Sequence, residues 1–229
     1  MSGILYGIGV GPGDPELLTI KGLRIIRESD VVAIPGTDIK QSVAYKIVKG
    51  VYPQLDEKNL LAVPMPMTKD PHILQESHDK GADMVENCLK DGKQVAFLTL
   101  GDPTVYSTYL YIHKRILNRG YEAQIISGVP SFCAAAARLN IGLVEKAEPL
   151  HVIPATYDAE RLDSVLALSG TKVLMKTGKK MADVREGIIQ SGQKAVMVEN
   201  CGMADEKVYE SAEAMPQSSS YYSLIIVKD

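Results

Sequence analysis

The stretch QVAFLTLGDPTVYST, residues 94–108, limits the possible folds more than any other part of the chain. Val95-Ala96-Phe97-Leu98 is a continuous apolar run, the signature of a strand buried on both faces. Gly101-Asp102-Pro103 breaks it, because glycine reaches backbone angles other residues resist and proline fixes its own φ and removes a donor. Tyr106, Tyr109, Leu110 and His113 then recur at helical spacing, so a helix is expected to follow. A buried strand, a sharp polar turn and a helix is the unit by which an open α/β sheet presents a ligand site at the carboxyl ends of its strands. Asp102 has two readings at this point, a cap for the following helix or a polar group of a site.

Two further loops have the same character. Residues 4–10 read as a short strand running into Gly9-Val10-Gly11-Pro12-Gly13-Asp14-Pro15. Its alternating glycines do not fit the G-x-G-x-x-G dinucleotide fingerprint, and Pro12 lacks an amide that a phosphate cradle would use. No G-x-x-x-x-G-K-[ST] occurs, so a P-loop is excluded as well. Residues 121–126 form another predicted strand, entering Ser127-Gly128-Val129-Pro130-Ser131, with Ser131 as the expected cap of an alanine-rich helix over 132–140.

Between these loops, helices are expected over 19–29 (Ile20, Leu23 and Ile26 on its apolar face), around Val43–Val48, and over 71–91. Strands are expected over 30–34 and 60–63. The 71–91 segment carries an apolar stripe of Gly81, Met84, Val85, Cys88 and Leu89, and His72 and His78 on it read as solvated. Met65 and Met67 either line a ligand site or fill irregular core. The alternation predicts a mostly parallel sheet covered on both faces over residues 1–140, with the three Gly/Pro loops gathered at one edge. A linker over 141–149 and a second domain over 150–229 follow. There, strands over 150–154, 171–176 and 195–199 alternate with helices over 161–168 and 182–190. Two closing strands, over 207–211 and 221–228, have no helix between them, which favours a mixed sheet.

Composition narrows the function classes. Hydrophobic residues make up 45% and charged residues 23%, as in a globular protein with a real core. A formal net charge of −3 argues against a nucleic-acid footprint. No apolar run approaches the roughly 20 residues of a membrane helix, and residues 1–3 lead straight into a strand without a signal peptide. Cys88, Cys133 and Cys201 lack CxxC spacing, so reduced thiols in a cytoplasmic protein are expected.

With these loops placed, the sequence closely resembles the tetrapyrrole methylase family of S-adenosylmethionine-dependent methyltransferases. The resemblance rests on GIGVGPGDPELLT at 7–19, Gly101-Asp102-Pro103, Gly128-Val129-Pro130-Ser131 and Glu199-Asn200. Two features look like the members acting on C-20 of precorrin-2 or cobalt-factor II. One is FLTLGDPTVYST at 97–108; the other is Met67-Thr68 together with YYSLIIV at 221–227. Ser127 departs from the family pattern, which usually has proline before the glycine, and is expected to loosen that loop slightly.

The resemblance implies two αβα domains with S-adenosylmethionine in the cleft between them, a tetrapyrrole substrate, no protein-bound metal, no nucleic-acid or membrane partner, and a cytoplasmic homodimer. Carried over by motif, the donor contacts are Pro12, Leu100, Gly101, Asp102, Val105, Pro130, Ser131, Met175, Lys176 and Cys201; relatives often have glycine at the last. The implied reaction is methylation of the C-20 meso carbon in cobalamin biosynthesis. Alternatives are methylation of another ring carbon, or uroporphyrinogen III, diphthine or ribosomal-RNA methylation on the same fold. A non-catalytic binding protein is a different class. Asp102 is the first candidate for a catalytic or orienting role. Tyr221 and Tyr222 are candidates to face the macrocycle; as adjacent strand residues they are expected to point to opposite sides, so that one of them packs in the core. Lys176, Lys179, Lys180 and Arg138 either meet substrate carboxylates or remain on the solvated surface.

Overall fold

The structure is a computed structural model that describes residues 2–66, 68, 70–154 and 159–229. Met67 lies outside the described residues, as does the side chain of Lys179. The chain divides into two compact units, Met1–Pro130 and Ser131–Asp229. Among the described residues the strands form two five-stranded sheets, one in each unit.

The first unit runs β1 (Ile4–Gly9), α1 (Ile20–Glu28), β2 (Val31–Pro35), α2 (Val43–Val51), β3 (Asn59–Val63), α3 (Pro71–Lys90), β4 (Val95–Thr99), α4 (Tyr109–Asn118) and β5 (Glu122–Ile126). Its sheet is parallel throughout, in the order β3-β2-β4-β1-β5. Every residue of β4 is buried, which explains its unbroken apolar run. Ala96 and Leu98 face one way, into a core with Ile25, Ile26, Ile47 and Val48 of α1 and α2. Val95 and Phe97 face the other, into a core with Val85, Leu89, Ile112 and Ile116 of α3 and α4. Each of the larger side chains, alanine aside, contributes about 1.5–3 kcal/mol on burial.

Local signals set the helix starts. Thr19 Oγ1 accepts the Gly22 amide at 3.0 Å, and Asp70 accepts the amides of His72 and Ile73 ahead of Pro71. Two surface expectations are corrected. Ile20 lies at the first residue of α1 and is 89% exposed, the buried face being Gly22, Ile25 and Ile26. His78 is not solvated: it is 7% exposed and stacks on Tyr111 with ring centroids 4.4 Å apart. Burial, with the Arg115 charge nearby, moves the His78 imidazole below its ordinary pKa.

The second unit runs α5 (Ser131–Arg138), β6 (Leu150–Pro154), α6 (Ala159–Leu166), β7 (Thr171–Met175), α7 (Met181–Ser191), β8 (Lys194–Glu199), β9 (Lys207–Tyr209) and β10 (Ser223–Lys228). Its order is β6-β7-β10-β8-β9. β6 and β7 are parallel, and β10 runs antiparallel to both β7 and β8. The expected mixed sheet is present, with β10 inserted between β7 and β8. The alanine-rich helix α5, read from the sequence with the first half, packs here through Ala135 and Ala136 against Val173, Val198, Leu224 and Ile226. α6 and α7 cover the opposite face through Leu162, Leu166, Val184 and Ile188. The segment before β6 is tied to this unit as well, since Thr171 Oγ1 donates to the Leu143 carbonyl at 2.6 Å and the Glu148 carboxylate at 2.8 Å.

Candidate active site

β4, β1 and β5 are neighbours in the first sheet and all point the same way, so the loops that follow them emerge side by side. These are the three Gly/Pro loops. Gly11 and Gly101 exchange backbone hydrogen bonds, Gly101 N to Gly11 O at 2.8 Å and Gly11 N to Gly101 O at 3.3 Å. The third loop closes in on both. A Cβ built on Gly128 would lie 2.3 Å from the Gly101 carbonyl oxygen and 2.7 Å from Gly9 Cα, while one on Gly9 would lie 2.5 Å from Gly128 N. Here glycine serves close approach of three backbones. Gly101 differs from the other two. Its φ is +70°, and a Cβ there would meet nothing nearer than Val129 O at 4.0 Å, so the space beside its Cα is uncluttered although the residue is buried.

Asp102 is 5% exposed and knits the loops together. Its Oδ1 accepts the amide and the hydroxyl of Thr104, at 2.8 and 2.5 Å. Its Oδ2 accepts the Ser127 hydroxyl at 2.7 Å and the Gly128 amide at 2.9 Å. Burial pushes the carboxyl pKa up, but the bonds from Thr104, Ser127 and Gly128 outweigh it and hold the group below its ordinary value. Asp102 therefore stays ionised.

Two expectations change on this geometry. The helix-cap reading of Asp102 is not realised, because α4 begins only at Tyr109 with Thr108 before it. Between them the chain makes an irregular turn in which Tyr106 has φ +49° and is exposed. Ser127 does not loosen its loop: its hydroxyl adds a tether to Asp102 that a proline has no donor to make. Of the other residues singled out here, Pro12 and Gly101 are buried, and Leu100, Val105 and Pro130 are half-buried around the same loops.

Within the second unit, the carboxyl ends of β7 and β8 and the amino end of β10 share one sheet edge, since Glu199 pairs with Ser223 and Met175 with Leu224. Met175, Lys176, Cys201, Tyr221 and Tyr222 all lie there. Lys176 and Asn200 have φ of +62° and +54°, uncommon for residues with a Cβ, at the two points where the chain leaves the sheet. Glu199 and Asn200 are buried polar residues. Glu199 accepts the Ser220 amide at 2.6 Å and the Tyr209 hydroxyl at 3.3 Å, and Asn200 Oδ1 accepts the Ser220 hydroxyl at 2.8 Å. Sequence reasoning marked Glu199-Asn200 as a motif without a role. The structure gives it one, holding the 219–222 turn against β8. It missed Thr104 and Ser220; the Asp-x-Thr spacing was the available sign of the first.

Tyr221 and Tyr222 precede β10 rather than belonging to it. Both are exposed, and their rings meet edge to face at 5.4 Å, so the expected opposite-side placement with one ring in the core does not hold. The Lys176 ammonium lies 5.7 Å from the Tyr221 ring centroid. Ser131 opens α5 and is half-buried. Of the remaining cationic candidates, Arg138 pairs with Glu206 at 2.5 Å and Lys180 with Asp183 at 3.5 Å, both at the surface. No group of three or more His, Cys, Asp and Glu side chains suited to a metal ion occurs among the described residues.

The loops of the first unit lack the lysine and the run of amides of a P-loop phosphate cradle. Residues 9–13, 100–105 and 127–130 carry one charged residue, the ionised Asp102, and Pro12 contributes no amide. The chain belongs to the tetrapyrrole (corrin/porphyrin) methylases, whose family model matches residues 4–215. It is 34% identical over 230 residues to the probable cobalt-precorrin-2 C(20)-methyltransferase of Methanocaldococcus jannaschii, covering 98% of this chain and 95% of that one. It is 30% identical over 239 residues to the precorrin-2 C(20)-methyltransferase of a Sinorhizobium species, covering 99% and 97%. The fold matches the crystal structure of uroporphyrin-III C-methyl transferase from Thermus thermophilus complexed with S-adenyl homocysteine, with a TM-score of 0.70, 20% identity, and 99% and 98% coverage.

Proposed function

We propose that this chain methylates C-20 of cobalt-factor II, rather than of metal-free precorrin-2, using S-adenosylmethionine, as a step in cobalamin biosynthesis. The observation that carries the reading is full-length similarity to two relatives named for C-20 methylation of this macrocycle, one with cobalt in its name and one without. In the reaction, the electron-rich C-20 carbon displaces the methyl group from the sulfonium; a C–C bond forms, the S–CH3 bond breaks, S-adenosylhomocysteine leaves with the electron pair, and C-20 gives up its proton. Such a displacement needs alignment more than covalent help, and alignment is worth roughly 7–11 kcal/mol of a barrier.

The residues fit the methyl donor. The open backbone at Gly101 admits a flat group with no side chain in the way, and the ionised Asp102 is the right sign for a sulfonium. We assign Pro12, Leu100, Gly101, Val105 and Pro130 to donor contact, and Asp102 to fixing the loops that make it. With four donors already on its two oxygens, Asp102 is better placed to hold the loops than to take up the C-20 proton. Ser131, Met175, Lys176 and Cys201 keep their assignment to the donor from the resemblance. Tyr221 and Tyr222, exposed and adjacent, are assigned to the macrocycle. The resemblance is also the support for a homodimer, and three cysteines without CxxC spacing are the support for a cytoplasmic location; no described helix is long and apolar enough to cross a membrane.

The test is an anaerobic methyl-transfer assay offering cobalt-factor II and metal-free precorrin-2 in parallel, read by mass. One added methyl on the cobalt form alone is the expected result. One on the metal-free form alone keeps C-20 methylation and reverses the metal preference. No added methyl on either overturns the substrate assignment.

A further inference from the structure

We infer that Ser127 is a positioning residue for the methyl-donor site, acting through Asp102. The inference rests on the donor reading above. β5 is the edge strand of its sheet, paired with β1 alone, and the ladder ends at the pair Ile8 and Ile126. Beyond Ile126 no strand among the described residues pairs on the chain's outer side. A link that reaches past β1 to the turn after β4 holds it, the two bonds on Asp102 Oδ2 from Ser127 Oγ and Gly128 N. The other carboxylate oxygen is committed to Thr104, within the β4 turn itself. Asp102 is thus a bridge with one oxygen in each loop, and Ser127 supplies half of the far abutment.

That abutment sets a distance with little slack. Gly128 is already so near Gly9 and Gly101 that no Cβ fits between them, and Gly101 is the residue with clear space beside its Cα. A small shift of residues 127–130 therefore changes the shape of the opening at Gly101. Ser127 itself is exposed, so removing its hydroxyl empties no core space and leaves both sheets intact. Its contribution is to where the loop sits.

Full-length protein carrying Ser127→Ala, Ser127→Val or Ser127→Thr tests this. Valine and threonine have the same shape and differ in the hydroxyl, which separates the bond from the bulk. Binding of S-adenosylhomocysteine is measured by calorimetry without any macrocycle, and donor KM and kcat are measured separately. Ser127 does not touch the donor, so only part of the loss of one bond to a charged acceptor is felt there, and roughly three- to tenfold weaker binding is expected for the alanine and valine variants. Donor KM rises in step, kcat changes by less than about twofold, and threonine recovers wild-type binding. Wild-type affinity in the valine variant, or equal weakening in the threonine and valine variants, overturns the role of Ser127. Failure of the wild-type chain to bind S-adenosylhomocysteine counts against the donor reading; binding without methylation of either macrocycle counts against the substrate alone.

Discussion

The two sheets present the edges to which the proposed contacts belong by opposite means. In the first unit the edge is made of backbone: at Gly9 and Gly128 the three loops come together until no side chain fits, and one buried carboxylate joins them. In the second unit the edge is made of side chains. Glu199, Asn200 and Ser220 form a hydrogen-bonded brace, and Tyr221, Tyr222 and Lys176 stand out from it. A backbone-built edge is rigid and tolerates almost no substitution. A side-chain-built edge can be altered one residue at a time, which suits the part of an enzyme that distinguishes one macrocycle from another.

The largest expected effect breaks the first edge. Gly128→Ala puts a methyl group 2.3 Å from the Gly101 carbonyl oxygen and 2.7 Å from Gly9 backbone atoms, none of which is the end of a flexible chain. The loops must part, at an expected cost of about 3 kcal/mol or more in urea unfolding and loss of S-adenosylhomocysteine binding. Gly101→Ala is the control. It has room, and pays for its φ of +70° alone, about 1–2 kcal/mol. Equal behaviour of the two variants would mean that the three-loop approach is not tight.

The same contrast decides what could be read from the sequence. The backbone-built edge was legible because glycine and proline report conformation directly, and strand-loop-helix periodicity placed the three loops on strands that must run parallel. Adjacency of β4, β1 and β5 then brought them together. Long-range side-chain bonds leave no such trace. Nothing in the spacing of Asp102 and Ser127, 25 residues apart, announces a bond at 2.7 Å. The family's usual proline even suggested that serine would loosen the loop. His78 was misjudged for a related reason: its burial depends on Tyr111 from another helix, which a single-helix pattern does not contain. Tyr221 and Tyr222 were placed in a strand because aromatic residues favour strands; the brace from Glu199 and Asn200 keeps them in a turn instead.

An intermediate effect tests that brace. Glu199→Ala leaves the Ser220 amide and the Tyr209 hydroxyl without their acceptor at a buried position, an expected cost of about 1–3 kcal/mol. Glu199→Gln keeps an amide oxygen for Ser220 and should lose about half as much. Amide hydrogen exchange at residues 219–222 is the sharper measurement, because opening of this turn should accelerate there while the amides of β4 remain protected. Uniform acceleration across both sheets would show that the brace supports the fold at large rather than the edge.

The smallest effect on stability is expected at Tyr221, and it separates the two edges by function. The ring is exposed, touching Tyr222 edge to face and lying beneath the Lys176 ammonium, so Tyr221→Leu should change unfolding free energy by no more than about 0.5 kcal/mol. If Tyr221 and Tyr222 meet the macrocycle while the backbone edge, with Met175, Lys176 and Cys201, meets the donor, this variant should raise KM for the tetrapyrrole several-fold. Its affinity for S-adenosylhomocysteine should stay as it was, the converse of the pattern expected at Ser127. A variant that weakens both ligands alike would erase the division of labour, and one that weakens neither would return Tyr221 to the ordinary surface. Tyr221→Phe sharpens the outcome. It keeps the ring and its contact with Lys176 and removes the hydroxyl alone, so recovery by phenylalanine assigns the effect to ring stacking and its absence assigns it to the phenol.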